Sequence, residues 1–193
     1  MKQYTKKTIE FYDKYIKEYT KNGSVVLGDK INRFIKLLPG KKVLDIACGS
    51  GHDTDYLTKK GLDCLGIDLS KKMVDFAKKN RKGKFEIADF LDLKFNEKSF
   101  DGIWCSSAFT HIDKSDLPNT LLDFRRILKK NGILAIIVPE NQNRKKNKND
   151  TRIFSMFKKR ELKNYLNNTG FNILYYEVFS FSEMNWIFVL SRK

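Results

Sequence analysis

The 193-residue chain predicts an α/β fold: a seven-stranded, mostly parallel sheet with helices on both faces and an antiparallel final strand pair. Two observations carry that expectation. From Lys42 onward, short apolar runs alternate with stretches in which apolar residues recur every three or four positions. Some of these runs are apolar almost throughout, as strands covered on both faces of a parallel sheet must be. Length argues for one structural domain overall, with residues 1–40 as N-terminal helices covering a site and residues 41–193 as the main body.

The elements follow in order. Ile9, Tyr12, Ile16 and Tyr19 mark one face of a first helix, broken by Asn22-Gly23-Ser24. Leu27, Ile31, Phe34, Ile35 and Leu38 give a second helix, ended by Pro39-Gly40. Residues 42–47 read as a strand that runs into the turn Gly49-Ser50-Gly51, and a helix follows as far as Gly61. A second strand, 62–67, ends at Asp68; Ser70 then caps a helix that carries Met73, Val74 and Ala77 inward. Residues 84–88 form a strand ending at Asp89, and 99–105 another. A helix over 116–130 places Leu117, Leu121, Phe124 and Leu128 on one face and closes at Asn131-Gly132. Residues 133–138 form a strand stopped by Pro139, residues 140–152 are a loop by composition, and 160–168 is a helix ended by Gly170. The strands 171–179 and 185–191 have a tight connection, which makes them antiparallel.

Composition narrows the class. At 41% hydrophobic and 32% charged, with only 3 Pro, the chain is neither disordered nor collagen-like. No apolar run approaches the roughly 18 residues of a membrane span, and the first residues lead into Tyr, Lys and Glu, so neither a membrane partner nor a secretory signal is expected. Cys48, Cys64 and Cys105 lie far apart, form no Cys-x-x-Cys pair and suit a reducing cytoplasm. With only His52 and His111 beside them, no metal site is expected. The net charge of +15 is uneven: residues 1–42 carry 11 basic and 4 acidic side chains, and residues 144–163 carry 9 and 2. These blocks read either as solvated faces of a Lys-rich chain or as an electropositive rim for an anionic partner.

In open parallel sheets, ligands bind at the carboxyl ends of the strands. The first such end is Asp45-Ile46-Ala47-Cys48-Gly49-Ser50-Gly51, where small residues let the backbone approach a ligand and the next helix points its amides at it. The second is Asp68, 19 residues after Gly49, a spacing at which a carboxylate reaches both hydroxyls of a ribose. The third is Asp89-Phe90, an acid for an adenine amino group beside a ring for the base. The fourth is Cys105-Ser106-Ser107-Ala108, followed by His111. Together they imply a ligand with a nucleoside and a short polar tail.

These residues resemble the class I S-adenosylmethionine-dependent methyltransferase family, of small-molecule type. The resemblance runs from Val43 to the C-terminus, through Val43–Gly51, Gly66-Ile67-Asp68-Leu69-Ser70, Ala88-Asp89-Phe90, Phe100–Trp104 and Leu128–Leu134. Ala47 departs from it, since the family often has Gly there. The resemblance implies a Rossmann-like fold and S-adenosylmethionine as cofactor. It implies that Asp45, Gly49 and Gly51 hold the methionine part, Asp68 the ribose, Leu69 and Phe90 the adenine faces and Asp89 the adenine amino group, with Ser106 near the sulfonium. Ala47, Met73 and Tyr19 complete the cofactor set, and the N-terminal helix is expected to fold over the site through Tyr12 or Tyr19. His111 is the candidate general base, because an imidazole titrates near neutrality.

The acceptor is less legible. The chain lacks the Asn/Asp-Pro-Pro-Tyr/Phe of enzymes that methylate base amino groups, lacks a Pro-Cys pair, and has no evident carboxylate triad. A small, anionic acceptor steered by the basic blocks is the resulting expectation, for a cytoplasmic monomer or homodimer. An RNA methyltransferase using the basic rim and a non-catalytic cofactor-binding regulator are the alternatives. A nicotinamide-dependent reductase is disfavoured, since His52-Asp53-Thr54 stands where the third Gly of its turn would be.

Overall fold

Strand residues with consecutive side chains buried need cover on both faces, and the computed structural model supplies it. The structure describes residues 1–21, 26–141, 150 and 152–193. The break expected at Asn22-Gly23-Ser24 and most of the 140–152 loop lie outside them. The strands are β1 (Lys42–Ile46), β2 (Asp63–Asp68), β3 (Lys84–Ile87), β4 (Phe100–Ser106), β5 (Leu128–Pro139), β6 (Asn172–Phe181) and β7 (Met184–Arg192). They form one sheet in the order β3-β2-β1-β4-β5-β7-β6, with β7 antiparallel to both its neighbours and all other pairs parallel. The helices are α1 (Gln3–Lys14), α2 (Ile16–Lys21), α3 (Gly28–Leu37), α4 (His52–Lys59), α5 (Lys71–Asn80), α6 (Leu117–Ile127) and α7 (Lys159–Asn168). None is long and apolar enough to cross a membrane.

Alternation along the central strands divides the core in two. On β4, Ile103 and Cys105 join the side that holds Phe124 of α6 and Leu162 of α7, while Trp104 joins the side that holds Ile31 and Phe34 of α3. On β5, Leu134, Ile136 and Val138 take the first side and Ile133, Ala135 and Ile137 the second. Burial on both faces is what fixes β4 and β5 in the centre.

Two boundaries differ from expectation. The helix expected over 116–130 stops at Ile127, and β5 begins at Leu128. Leu128 continues the helical spacing, yet it pairs with Phe100 on β4, and the Lys129 Nζ reaches both carboxylate oxygens of Asp101 at 3.0 Å. Tertiary pairing has overridden local period; Asn131, at φ +64°, and Gly132 fall within a register shift rather than at a helix end. The single N-terminal helix is two, with Tyr15 as the cap that ends α1. The bend lets Tyr12 and Tyr19 meet, their ring centroids 4.8 Å apart.

Candidate functional site

Between β1 and β4 the strand order reverses, since β2 follows β1 on one side and β4 lies on the other. Such a switch point leaves a crevice at the carboxyl ends of the strands. A cavity of about 370 Å³ lies there, floored by the ends of β1, β2 and β4 and roofed by residues of α1 and α2.

The turn after β1 is built for close approach. Ala47, Gly49 and Gly51 all have positive φ, at +52°, +53° and +80°. The Cys48 amide donates to the Ile67 carbonyl and the Gly51 amide to the Cys48 carbonyl, both at 2.9 Å, which fixes the turn against β2. The two glycines serve different ends. A side chain on Gly51 would strike Phe85 at 2.7 Å and Ala77 at 2.9 Å, so its smallness seats the turn against β3 and α5. A side chain on Gly49 would meet nothing within 4 Å, and Gly49 lines the cavity, so there the missing Cβ leaves room for a ligand.

Three carboxylates line this end. Asp45 is buried and accepts from the Thr54 hydroxyl at 2.6 Å. Burial, the Asp53 charge and the Asp68 charge hold it well above the usual carboxylate range, against the Thr54 hydrogen bond. Asp53 accepts from the Trp104 indole N–H at 2.8 Å, and burial pushes it up to about 6. Asp68 accepts the Gly49 amide at 2.9 Å on one oxygen and the Ser70 amide at 2.8 Å on the other. Burial raises its pKa, with those two amides opposing. No Lys or Arg stands among the described residues that line the cavity, so three acids, one buried and two half-buried, face it without a cation in that lining. Carboxylates removed from water favour a positively charged partner. S-adenosylmethionine, with its ammonium and sulfonium, fits that preference.

The roof is held by long-range contacts. The Tyr4 hydroxyl donates to Asp116 at 2.7 Å, with Lys2 on the other oxygen. The Ser70 hydroxyl, which caps α5 by accepting the Met73 amide at 3.1 Å, donates to Asp13 at 2.5 Å. Arg152 is buried, pairs with both oxygens of Asp150, and lies 3.8 Å from the centroid of the Phe11 ring. His111 sits on the short 3₁₀ turn Ala108–His111 after β4. Its Nδ1 is 2.8 Å from the Ile153 carbonyl, which only accepts, so in the neutral ring Nδ1 carries the proton and Nε2 accepts from the Tyr12 hydroxyl at 3.0 Å. Burial pushes Tyr12 up to about 12, so its hydroxyl stays protonated near neutrality.

Asp45, Ala47, Gly49, Asp68, Leu69, Met73, Phe90, Ser106, His111 and Tyr19, which the sequence singled out, all line this cavity. Gly51 and Asp89 do not. Gly51 packs beneath the turn, and Asp89 accepts the Leu91 amide at 2.9 Å while its neighbours Ala88 and Phe90 reach the lining. Sequence reading missed Asp53, Thr5, Thr8, Phe181 and Trp186, which also line it. The signal for Asp53 was an acid in the first turn of the helix after the glycines. Trp186 and Phe181 flank the tip of the last hairpin, where aromatics at a sheet end could have drawn notice. Of the basic blocks from which an anionic acceptor is expected, residues 144–148 lie outside the described residues, and Lys6 and Lys7 of α1 are exposed outside the described lining. All three cysteines are free thiols, and Cys48 also lines the cavity, its thiol pushed up by burial and by the Asp45 charge.

Comparison with known proteins agrees with this geometry. A family model for a methyltransferase domain matches residues 44–136, the stretch that holds the glycine turn, Asp68 and His111. The chain is 38% identical over 109 residues to a demethylmenaquinone methyltransferase of Thermotoga maritima, covering 54% of this chain and 47% of that protein. It is 30% identical over 141 residues to phosphoethanolamine N-methyltransferase 3 of Arabidopsis thaliana, covering 69% of this chain and 28% of that one. The matches thus span less than half the length of these curated relatives. Among solved structures, the 1,6-didemethyltoxoflavin-N1-methyltransferase of Burkholderia thailandensis superposes with a TM-score of 0.83 at 17% identity, covering 99% of this chain and 89% of that one. That likeness shows a shared Rossmann-like fold. With the glycine turn and the ribose-spaced acid, the match makes residues 44–136 similar to a methyltransferase domain.

Proposed function

We propose that this chain transfers a methyl group from S-adenosylmethionine to a small-molecule acceptor. The observation that carries the reading is the trio Asp45, Asp53 and Asp68 lining one end of a cavity beside Gly49, with no cation among the described lining residues. When bound, the cofactor supplies an electrophilic methyl group on a sulfonium. Asp68 would hold the ribose: each of its oxygens already takes one backbone N–H, which fixes the carboxylate and leaves a lone pair on each for a hydroxyl. Leu69 and Phe90 would cover the adenine, and Asp89 would take its amino group through the oxygen that the Leu91 amide does not use. Asp45 and Asp53 would face the cationic methionine end, and Gly49 leaves space for its backbone-like atoms.

Methyl transfer from a good leaving group needs alignment above all, and α1, strapped at Tyr4, Tyr12 and Asp13, excludes water from the place where alignment matters. Where the acceptor must lose a proton, Nε2 of His111 can receive it through the Tyr12 hydroxyl: Tyr12 passes its own proton to Nε2 and takes the acceptor's. The names of the relatives, which include methyltransferases of demethylmenaquinone and of phosphoethanolamine, favour a small molecule without choosing its class. Calorimetric titration with S-adenosylhomocysteine tests the reading; one-to-one binding is expected, and no binding overturns it.

A further inference from the structure

The cavity is lined by more than carboxylates: Ile137 at the end of β5, Phe181 and Trp186 beside the hairpin tip of β6 and β7, and Tyr12 and Tyr19 of the roof also face it. We propose that the acceptor is a neutral, flat aromatic molecule that lies between the Trp186–Phe181 side and the Tyr12–Tyr19 roof. This rests on the methyltransferase reading and gives its site a substrate class.

Three features argue for it. The first is charge. None of the described lining residues is Lys or Arg, while three acids line the same cavity. Arg152, a buried cation behind the roof, pairs with Asp150 and lies over the rings of Phe11 and Tyr12 rather than in the lining. A phosphate or carboxylate on the acceptor would meet no Lys or Arg among the described lining residues. The second is surface. The single donor of Trp186 is tied to the Phe181 carbonyl at 3.2 Å, so the indole offers apolar and π surface only, and Tyr12 and Tyr19 meet edge to face at 4.8 Å. The third is an unmatched neutral polar group. The Thr5 hydroxyl lines the cavity, is buried, and has no hydrogen-bond partner among the described residues. Such a group suits a ring heteroatom or a ring hydroxyl, and not a charged headgroup.

The test uses the full chain saturated with S-adenosylhomocysteine and two probes, 1-naphthol and 1-naphthyl phosphate, which share a ring and differ by a dianion. By calorimetry near neutral pH, 1-naphthol is expected to bind at least about tenfold more tightly than the phosphate and to change Trp186 fluorescence. Trp186→Leu should weaken naphthol binding by about tenfold and leave S-adenosylhomocysteine affinity unchanged, and Tyr19→Leu should act in the same direction. Equal or tighter binding of the phosphate, or no naphthol binding to protein that binds S-adenosylhomocysteine, overturns the acceptor class and spares the methyltransferase reading. Failure of S-adenosylhomocysteine to bind overturns both. The comparison of the two probes on the unaltered chain decides the matter even if a variant does not fold.

Discussion

The two ends of the cavity are made in different ways. The end beside Asp45 and Asp68 is built from two adjacent strand-turn-helix units, tied by backbone N–H groups within each turn and across the 19 residues between them. The end beneath α1 is assembled from residues far apart, through Tyr12 to His111, Tyr4 to Asp116 and Arg152 to Phe11. The first end is rigid before any ligand arrives. The second can open by releasing a few side-chain contacts, which is what a buried transfer site needs for entry and exit. Changes at the first end should therefore act on cofactor affinity, and changes at the second on turnover and on roof mobility.

The largest effect is expected at the second end. His111→Ala should lower kcat by about 10²- to 10⁴-fold on an acceptor with an ionisable hydroxyl, with cofactor affinity unchanged. Tyr12→Phe should follow with a smaller loss. Steady-state kinetics beside a cofactor titration would show whether the two quantities separate; a matching loss of cofactor affinity would erase the contrast between the ends. Next comes Asp68→Ala, expected to weaken S-adenosylhomocysteine by about 100-fold, since two charge-assisted hydrogen bonds to ribose would go.

Acidity sharpens the same contrast. The folded pKa of Asp53 is raised to about 6, above its unfolded value near 4. The folded chain thus holds the extra proton between those values, so the stability linked to Asp53 is complete at low pH and declines as pH rises toward 6. Cofactor affinity should run the other way, gaining up to about tenfold per pH unit below 6 as the carboxylate ionises. Paired melting and titration series across that window would show opposite slopes, and Asp53→Asn should flatten both.

Smaller effects remain. Arg152→Ala removes a cation from the Phe11 ring, worth about 2 kcal/mol when desolvated, and adds the cost of leaving Asp150 unpaired. Amides of α1 should exchange with solvent faster by an order of magnitude or more, while those of β1 and β4 should not change. Ala47→Gly should be the mildest: the alanine holds a left-handed φ of +52°, and glycine there should add about 0.5–1 kcal/mol in thermal unfolding, net of its greater freedom when unfolded.

How far the sequence could be read follows from the same division. The strands and the glycine turn were legible because apolar runs, small residues and acids at fixed spacing are local demands of a parallel sheet with a ligand at its edge. The end of α6 was not, because Leu128 fits both a helical stripe and a strand, and the Phe100 pairing that decides between them is remote. Nor was the bend at Tyr15, which serves a ring contact with no local signal. The hydrogen-bonded acids were legible as candidates, but Asp53 became visible only when Trp104, 51 positions away, was seen to hold it. Asp89 was marked out by its spacing; one of its oxygens accepts the Leu91 amide, and its neighbours Ala88 and Phe90 line the cavity.

The most direct measurement is a crystal structure with S-adenosylhomocysteine bound. Both ribose hydroxyls should lie within hydrogen-bond reach of the Asp68 carboxylate, with the methionine ammonium toward Asp45 and Asp53. An adenosine seated elsewhere, or an Asp68 side chain turned from the crevice, would contradict the account.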